Sequence, residues 1–412
     1  MKIRKIAFVL SVVLVLALML SMLVGCLDKK DNNNEQPSGG NTPSTSNAIT
    51  VTDMFNRQHT IDTNAINRVV CVGAGALRLY TYVGDMSKIV AVEEIESKAS
   101  MSAKFVSKRP YQVAYNDQFV SLINAHKTVG AGGPQAQSLA IDAIWEQEPD
   151  IVFSCLSLSA DDLATAEQQL GCPIISLKYG AAKAFSQEMI DSIQLIGRIM
   201  NAEAKATTLT NYMSSLKTDL ASKTQQNGKS VFLACNSNWG TKGFLSTSKS
   251  YPLFTISGIT NVMDNDSITL TKETNGQAMF ADMESVITSD PDVILLDAGG
   301  LETFKGDYNK DGSLLPGQLA GLDAWTNKEV YLMMPNNAYD ANVEMYFINA
   351  YYALTVAYPT VYGVNGTNPI NIETKATEIL NAFFGANKIA YNDILLYGGY
   401  QKLNLPDTWP TL

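Results

Sequence analysis

The sequence predicts an α/β protein made of two Rossmann-like α/β lobes bridged by a single long backbone helix. Three observations predict it. Short apolar runs alternate with helix-like stretches in both halves of the chain. Between the halves, Phe185 to Thr224 carries no proline and keeps apolar residues at helical spacing. A Pro-Asp pair with an acid seven positions before its proline occurs once in each half. Alternating strand and helix argues for parallel sheets covered on both faces. Composition agrees, because 412 residues at 46% apolar and 17% charged are ordinary for globular protein. The length suggests two or three domains.

Met1 to Lys5 is basic, and Ile6 to Val24 is apolar apart from two serines. Residues 1–25 therefore have the pattern of an export signal, with a retained membrane span as the alternative. The stretch Leu23-Val24-Gly25-Cys26 resembles the lipobox of bacterial lipoproteins, whose cysteine is acylated and becomes the new N-terminus. Acyl chains hold firmly, since each buried CH₂ contributes roughly 0.8 kcal/mol. Residues 26–48 are almost wholly polar and cannot bury a core, so they form a flexible tether with a reach of roughly 25 Å. The expected location is extracytoplasmic, lipid-anchored to a bacterial-type cell membrane.

The N-terminal lobe spans residues 49–183. Ile49 to Ile61 alternates with period two around a turn at Asn56-Arg57-Gln58, which predicts a hairpin. Arg68 to Gly73, Ile89 to Glu93, Asp150 to Ser154 and Pro173 to Leu177 are buried-strand runs. Helix-like stretches include Ala76 to Val83, Gln137 to Gln147 and Asp161 to Leu170. The bridge spans 184–226; as one helix it would be about 60 Å long, with a break near Asn201 as the alternative. The C-terminal lobe spans 227–412. Its strands are Ser230 to Cys235, Val293 to Asp297 and Glu329 to Met333, and its helices Asp282 to Thr288, Asn342 to Tyr358 and Ile372 to Phe384.

The Pro-Asp echo joins the lobes. Asp142 precedes Pro149-Asp150-Ile-Val-Phe, and Glu284 precedes Pro291-Asp292-Val-Ile-Leu. Each copy is the end of a helix, a turn and then a strand. Charge narrows the partners. The net charge is −10, and removing residues 1–25 leaves 27 basic against 40 acidic side chains, a net of −13. Such a chain is a poor nucleic-acid binder. Four cysteines follow Cys26, namely Cys71, Cys155, Cys172 and Cys235, without a CxxC pair. A zinc ribbon or thioredoxin motif is unsupported; free thiols are favoured, with three full disulfide pairings left open.

The run Ile49-Thr-Val-Thr-Asp53-Met-Phe-Asn-Arg57-Gln-His-Thr-Ile61, then Asn67-Arg68-Val69-Val70 and Lys88-Ile89-Val90-Ala91-Val92, resembles the start of class III (cluster A) substrate-binding proteins of ABC importers. These serve vitamin B12, ferric siderophores, haem and, in some members, oxyanions. The likeness covers about residues 49 to 400. It implies a ligand cleft between the two lobes and little movement of the lobes about a rigid bridge. It also implies that one carboxylate per lobe docks on arginines of an ABC permease, which works with its ATPase. Those positions fall on Asp142 and Glu284, with solvated helix charges as the other reading. A related clade binds bare zinc or manganese through several histidines. Only His59 and His126 exist here, in the hairpin and a polar stretch, so no metal site is expected.

Ligands of open α/β sheets bind beyond the carboxyl ends of the strands. Gly73-Ala74-Gly75 follows the first strand and offers backbone N–H groups to an anion. Arg78 adds charge there or is a solvated helix residue. Its place where a third glycine would stand, and export away from any NAD pool, argue against a dinucleotide fingerprint. Arg109, Tyr111 and Tyr115 gather a guanidinium and two phenols in what reads as a loop, for an oxyanion, a ring or plain packing. Gly132 belongs to a Gly-rich stretch that is either an anion nest or a turn. In the second lobe Trp239, Asn275 and Tyr339 occupy the matching loops. Asp307 to Gly312 resembles half a calcium loop, but the twelfth position is Gln318, which favours a surface loop.

The sequence reading is a monomeric extracytoplasmic lipoprotein that captures a metal chelate (a ferric siderophore, haem or a corrinoid) and delivers it to an ABC permease. It has no catalytic residues and no cofactor of its own, although the ligand itself carries iron or cobalt. A molybdate- or tungstate-type oxyanion is the rival ligand, and a sensor or enzyme on the same fold the rival class. A hydrolase lacks G-x-S-x-G.

Overall fold

The computed structural model describes residues 48–96, 109–133, 137–238, 240–274 and 278–403. The leader 1–25, the lipobox Cys26, the tether up to Asn47, Trp239 and Asn275 lie outside the described residues. Strand β1 (Ala48–Thr52) pairs antiparallel with β2 (Gln58–Asp62), placing Ile49 opposite Ile61. Then come β3 (Val69–Val72), α1 (Ala76–Val83), β4 (Ile89–Ala91), α2 (Pro110–Asn124), α3 (Ile141–Trp145), β5 (Ile151–Ser154), α4 (Ala160–Leu170) and β6 (Ile174–Ser176). The sheet order is β4-β3-β5-β6, all parallel. Strands β3, β5 and β6 are buried at every position, which is why they are continuous apolar runs rather than alternating ones. Val70, Val152 and Ile174 face one cluster with Leu163 of α4. Cys71, Phe153 and Ile175 face the other, with α1 and the helices that follow.

The bridge is not one helix. It is α5 (Gln187–Ile199) and α6 (Glu203–Ser222), separated by Met200-Asn201-Ala202, with Asn201 at φ +53°. The two fold back on each other. Gly197 lies so close to Ala206 that a side chain at 197 would collide with its methyl group. The Gln194 amide reaches the Thr210 hydroxyl at 3.3 Å; in a straight helix those positions would be about 24 Å apart. The weak break signal at Asn201 therefore outweighs the apolar spacing, because Asn tolerates the left-handed conformation that ends α5. Helix α6 alone, about 30 Å long, leads from the first lobe to the second.

The second lobe contains β7 (Val231–Ala234), β8 (Ser246–Thr247), α7 (Pro252–Ser257), β9 (Thr271–Lys272), β10 (Met279–Phe280) and α8 (Met283–Ser289). It continues with β11 (Val293–Asp297), α9 (Leu301–Asn309), α10 (Leu315–Leu319), α11 (Asp323–Thr326) and β12 (Val330–Met333). Helices α12 (Val343–Ala357), α13 (Pro359–Tyr362) and α14 (Ile372–Phe384) and strand β13 (Gln401–Lys402) complete it. The main sheet is β13-β12-β11-β7, parallel except for β13, and β8-β10-β9 form a small antiparallel sheet. Helix α12 is buried around nearly its whole circumference, as an apolar-all-round helix must be. Helix α14 returns to the first lobe, where Phe383 and Phe384 meet the Tyr82 ring of α1 at 4.9 and 5.6 Å between centroids.

The Pro-Asp echo has one physical job in both lobes. The Asp150 carboxylate accepts from the backbone N–H groups of Asn67 (2.7 Å) and Arg68 (2.8 Å), just before β3. The Asp292 carboxylate accepts from the N–H and hydroxyl of Ser230, both at 2.8 Å, just before β7. Each aspartate fixes the start of its lobe's first sheet strand beside the next. Other expectations shift. Pro110 to Tyr115 is helix, not loop, because Pro110 sits at the first helical position, where its missing N–H costs nothing. Only Ile141–Trp145 of the stretch 137–147 is helical. Asp307 and Asn309 close α9, so the calcium-like run is half helix. Cys71, Cys155, Cys172 and Cys235 are free thiols. Among the described residues, no helix is long and apolar enough to cross a membrane.

Replacing Gly197 by valine should cost about 1–3 kcal/mol through overpacking against Ala206. Urea unfolding measures it, and an unchanged midpoint would contradict the close approach of α5 and α6.

Candidate functional site

Both main sheets end in loops that face one another across the lobe boundary. Strand β3 leads into Gly73 and Gly75, at φ +84° and +87°. A side chain at 75 would collide with the Tyr179 phenol. That turn places Arg78 in the first turns of α1, fully buried. Its guanidinium donates to three carbonyls of the opposite lobe, those of Ala338 (2.5 Å), Tyr339 (3.0 Å) and Ala341 (3.0 Å), and to the Tyr179 hydroxyl (3.1 Å). It also lies 4.8 Å from the Tyr111 ring centroid, a cation–π contact. Arg78 is therefore neither a solvated helix residue nor a free anion ligand; it ties the lobes together.

Three more pairs cross the boundary. Tyr82 of α1 donates to Glu344 of α12 at 2.6 Å. Lys183 pairs with Asp340 at 2.9 Å. Tyr339 donates its hydroxyl to Glu93 at 2.6 Å, and Glu93 also accepts from the Gly73 N–H at 3.1 Å. Burial pushes the Glu93 carboxyl up to about 7; the Tyr339 hydroxyl opposes this and the Glu96 charge adds to it. In the second lobe Asp297, at the end of β11, accepts from the N–H groups of Ser237 (2.9 Å) and Gly299 (2.8 Å). Burial still lifts it to about 6 against those bonds.

Two cavities open here. One, about 250 Å³, lies beyond β3 and β4 and is lined by Glu93, Gly130, Ala131, Gly132, Ser138 and neighbouring apolar residues. The other, about 180 Å³, lies beyond β5 and β6 and is lined by Phe55, Cys155, Ser157, Lys178, Tyr179, Lys183 and Asp340. Gly132 is at φ +68°, packed on Ile95 and Glu93.

The remaining expected site residues divide. Arg109 caps α2, buried, donating to the Ile95 carbonyl at 2.7 Å and lying 3.8 Å from the Glu96 carboxylate. Tyr111 is fully buried and donates to Glu96 at 2.5 Å. Tyr115 sits at a kink in α2, its ring 4.9 Å from the Lys388 ammonium. These three form a packed network beside the cleft, not an open loop. Gly75, Arg78, Gly132 and Tyr339 are brought together at the lobe boundary. Asp142 on α3 and Glu284 on α8 are exposed. Sequence reasoning missed Glu93, Lys183, Asp340 and Glu344. Glu93 was legible as the end of a predicted strand; the others reach the boundary only through tertiary packing. Among the described residues, no three His, Cys, Asp or Glu side chains are placed to hold a metal ion.

Residues 91–336, more than half of the chain, match the family model described as periplasmic binding protein. The chain belongs to that family, in its class III (cluster A) form. Comparison with curated proteins found no match. Among solved structures it is similar to a periplasmic solute binding protein of Veillonella parvula, at 18% identity and TM-score 0.58, covering 84% of this chain and 96% of that one. It is similar to an ABC transporter solute binding protein of Sulfurospirillum deleyianum, at 20% identity and TM-score 0.55, covering 84% and 97%. It is also similar to the molybdate-bound periplasmic binding protein MolA of Haemophilus influenzae, at 16% identity and TM-score 0.56, covering 83% and 99%. Proteins of this family bind small ligands outside the cytoplasm and work with an ABC permease and ATPase.

Glu93 has a folded value above its ordinary 4.5, so the native state holds that proton more tightly than the unfolded chain. Its contribution to stability is complete below pH 4.5 and is lost as pH rises through 7. Wild type should therefore lose roughly 3 kcal/mol relative to Glu93→Gln over that window. Urea unfolding at stepped pH reads the difference, and parallel profiles would refute it.

Proposed function

We propose that this chain is the extracytoplasmic receptor of an ABC importer for a metal chelate, such as a ferric siderophore, haem or a corrinoid. The observation that carries the reading is the meeting of the two lobes near the carboxyl ends of their main sheets, where Arg78 and Glu93 bond to the Ala338–Ala341 stretch beside two cavities, in a chain of the periplasmic binding protein family. The side chains support a chelate over an oxyanion. The two arginines an oxyanion site would draw on are buried and engaged, Arg78 with the carbonyls of Ala338, Tyr339 and Ala341, and Arg109 with Ile95 and Glu96. Glu93, which lines a cavity, and Tyr339, bonded to it through its hydroxyl, stand at the lobe boundary, a carboxyl and a phenol that a ligand would have to part. Such groups suit donors and hard metal centres better than anions. The molybdate-bound relative supports the oxyanion as the second reading. Trp239 and Asn275 belong to the proposed cleft by their place in the sequence. In this reading Cys26 carries the lipid anchor, and the chain carries its ligand without chemistry upon it.

Asp142 and Glu284 are the proposed permease-docking acids. Both are exposed, and each lies seven positions before the proline of its lobe's Pro-Asp turn. Separated carboxylates give register and steering more than affinity.

Thermal shifts against cobalamin, haem, ferric hydroxamate and catecholate siderophores, molybdate and tungstate test the ligand class. A saturable shift with one chelate is expected. A response to the oxyanions alone, or silence across the panel, would sink the chelate reading. The double variant Asp142→Arg, Glu284→Arg should abolish uptake in cells that depend on this receptor while leaving the thermal shift of the same ligand intact. Normal uptake would defeat the docking assignment.

A further inference from the structure

We propose that the Pro335–Ala341 loop is a strap seated in the ligand cleft, whose Tyr339 and Asp340 side chains latch on Glu93 and Lys183 and swing away to admit a ligand while Arg78 keeps the loop's carbonyls. The proposal rests on the reading of the interlobe cleft as the ligand site. Its first support is backbone strain. Tyr339 and Asp340 are consecutive residues at φ +54° and +65°, a conformation that is a steric outlier for a residue as bulky as tyrosine. Strain of this kind persists only where the surroundings over-determine it, and it collects at ligand clamps and switches.

What over-determines it here is the opposite lobe. Arg78 draws in the carbonyls of Ala338, Tyr339 and Ala341. Lys183 holds the Asp340 carboxylate at 2.9 Å, and Glu93 holds the Tyr339 hydroxyl at 2.6 Å. The loop is also closed on itself. The Asn342 N–H donates to the Asn336 carbonyl at 2.9 Å, the Ala338 N–H to the Asp340 carbonyl at 3.0 Å, and Asn337 bridges Ala341.

The strap occupies space that a ligand needs. Its two latches stand at the two cavities, Glu93 lining one and Asp340 the other. At about 250 and 180 Å³, each is smaller than the roughly 300–1,000 Å³ of ordinary small-molecule sites. The seated position also leaves buried polar atoms unpaired at both roots, namely Asn336 Oδ1 and both amide atoms of Asn342. Unpaired buried groups cost stability, so the seated form is a compromise held by its latches.

Cys155 supplies a readout that needs no ligand. Its side chain, part-exposed where Cys71, Cys172 and Cys235 are buried, lines the cavity beside Asp340 and Lys183. Burial first, and then the Asp340 carboxylate, push it well above the ordinary thiol range, while Lys183 opposes them. A thiol in that state alkylates slowly. The experiment is N-ethylmaleimide labelling of the full chain, read cysteine by cysteine through peptide mass mapping. Tyr339→Phe, which removes only the hydroxyl on Glu93, should raise the Cys155 rate about tenfold, with Cys71, Cys172 and Cys235 unchanged. Lys183→Met separates motion from local field. Losing the lysine charge raises the thiol pKa and by itself slows labelling, whereas release of the strap speeds it. Faster labelling in both variants supports the strap. An unchanged Cys155 rate in Tyr339→Phe, slower labelling in Lys183→Met, or an equal rise at all four thiols would overturn it. Failure of every ligand in the thermal-shift panel would count against the receptor reading and leave the labelling result standing; unchanged labelling would remove the strap and leave the receptor reading intact.

Discussion

A buried guanidinium is tolerated only when its surroundings satisfy it, since an uncompensated internal charge costs several kcal/mol. Arg78 meets that demand at its two terminal nitrogens with atoms from both lobes, a tyrosine hydroxyl from its own and three backbone carbonyls from the other, leaving only its Nε unpaired. Much else follows from it. Residue 75 has to be glycine, because Tyr179 stands against it to reach Arg78. The loop before α12 must turn its carbonyls inward, which puts Tyr339 and Asp340 into left-handed backbone. Tyr111 is fixed beneath the same charge, and through Glu96 it fixes Arg109. Separating the lobes would strand the charge, so they hold together despite having separate sheets.

The lobes are nonetheless built alike. Each sets its first sheet strand with an aspartate that accepts backbone N–H groups from the residue just before that strand, and each carries an exposed acid on the short helix just upstream. One local device, used twice, sets the first sheet strand of each lobe.

Much of this was legible in the sequence, for identifiable reasons. Strands buried on both faces announce themselves as unbroken apolar runs, and β3, β5, β6, β7, β11 and β12 all lie within the expected segments. Helices α1 and α14 start and stop at the residues their periodicity gives. The Pro-Asp echo was visible because the same short pattern recurs in each half, although its bonds reach back 83 and 62 positions. The bridge was misread because apolar spacing persists through a tight reversal, and only Asn201 and the small pair Gly197 and Ala206 mark the fold. The site was harder. Arg78 and Arg109 look like ligands from composition alone, yet the groups that engage them lie as far as 263 positions away. Glu93, Lys183 and Asp340 carry no motif, and their roles arise only when the lobes meet.

The return of α14 to the first lobe sets an order of events during synthesis. The Tyr82 ring is covered by Phe383 and Phe384, and Arg78 by carbonyls beyond residue 337. A nascent chain that has delivered all of the first lobe still lacks the atoms that cover this face. Completion of that lobe therefore waits for residues 338–384, which follow β12 of the second lobe.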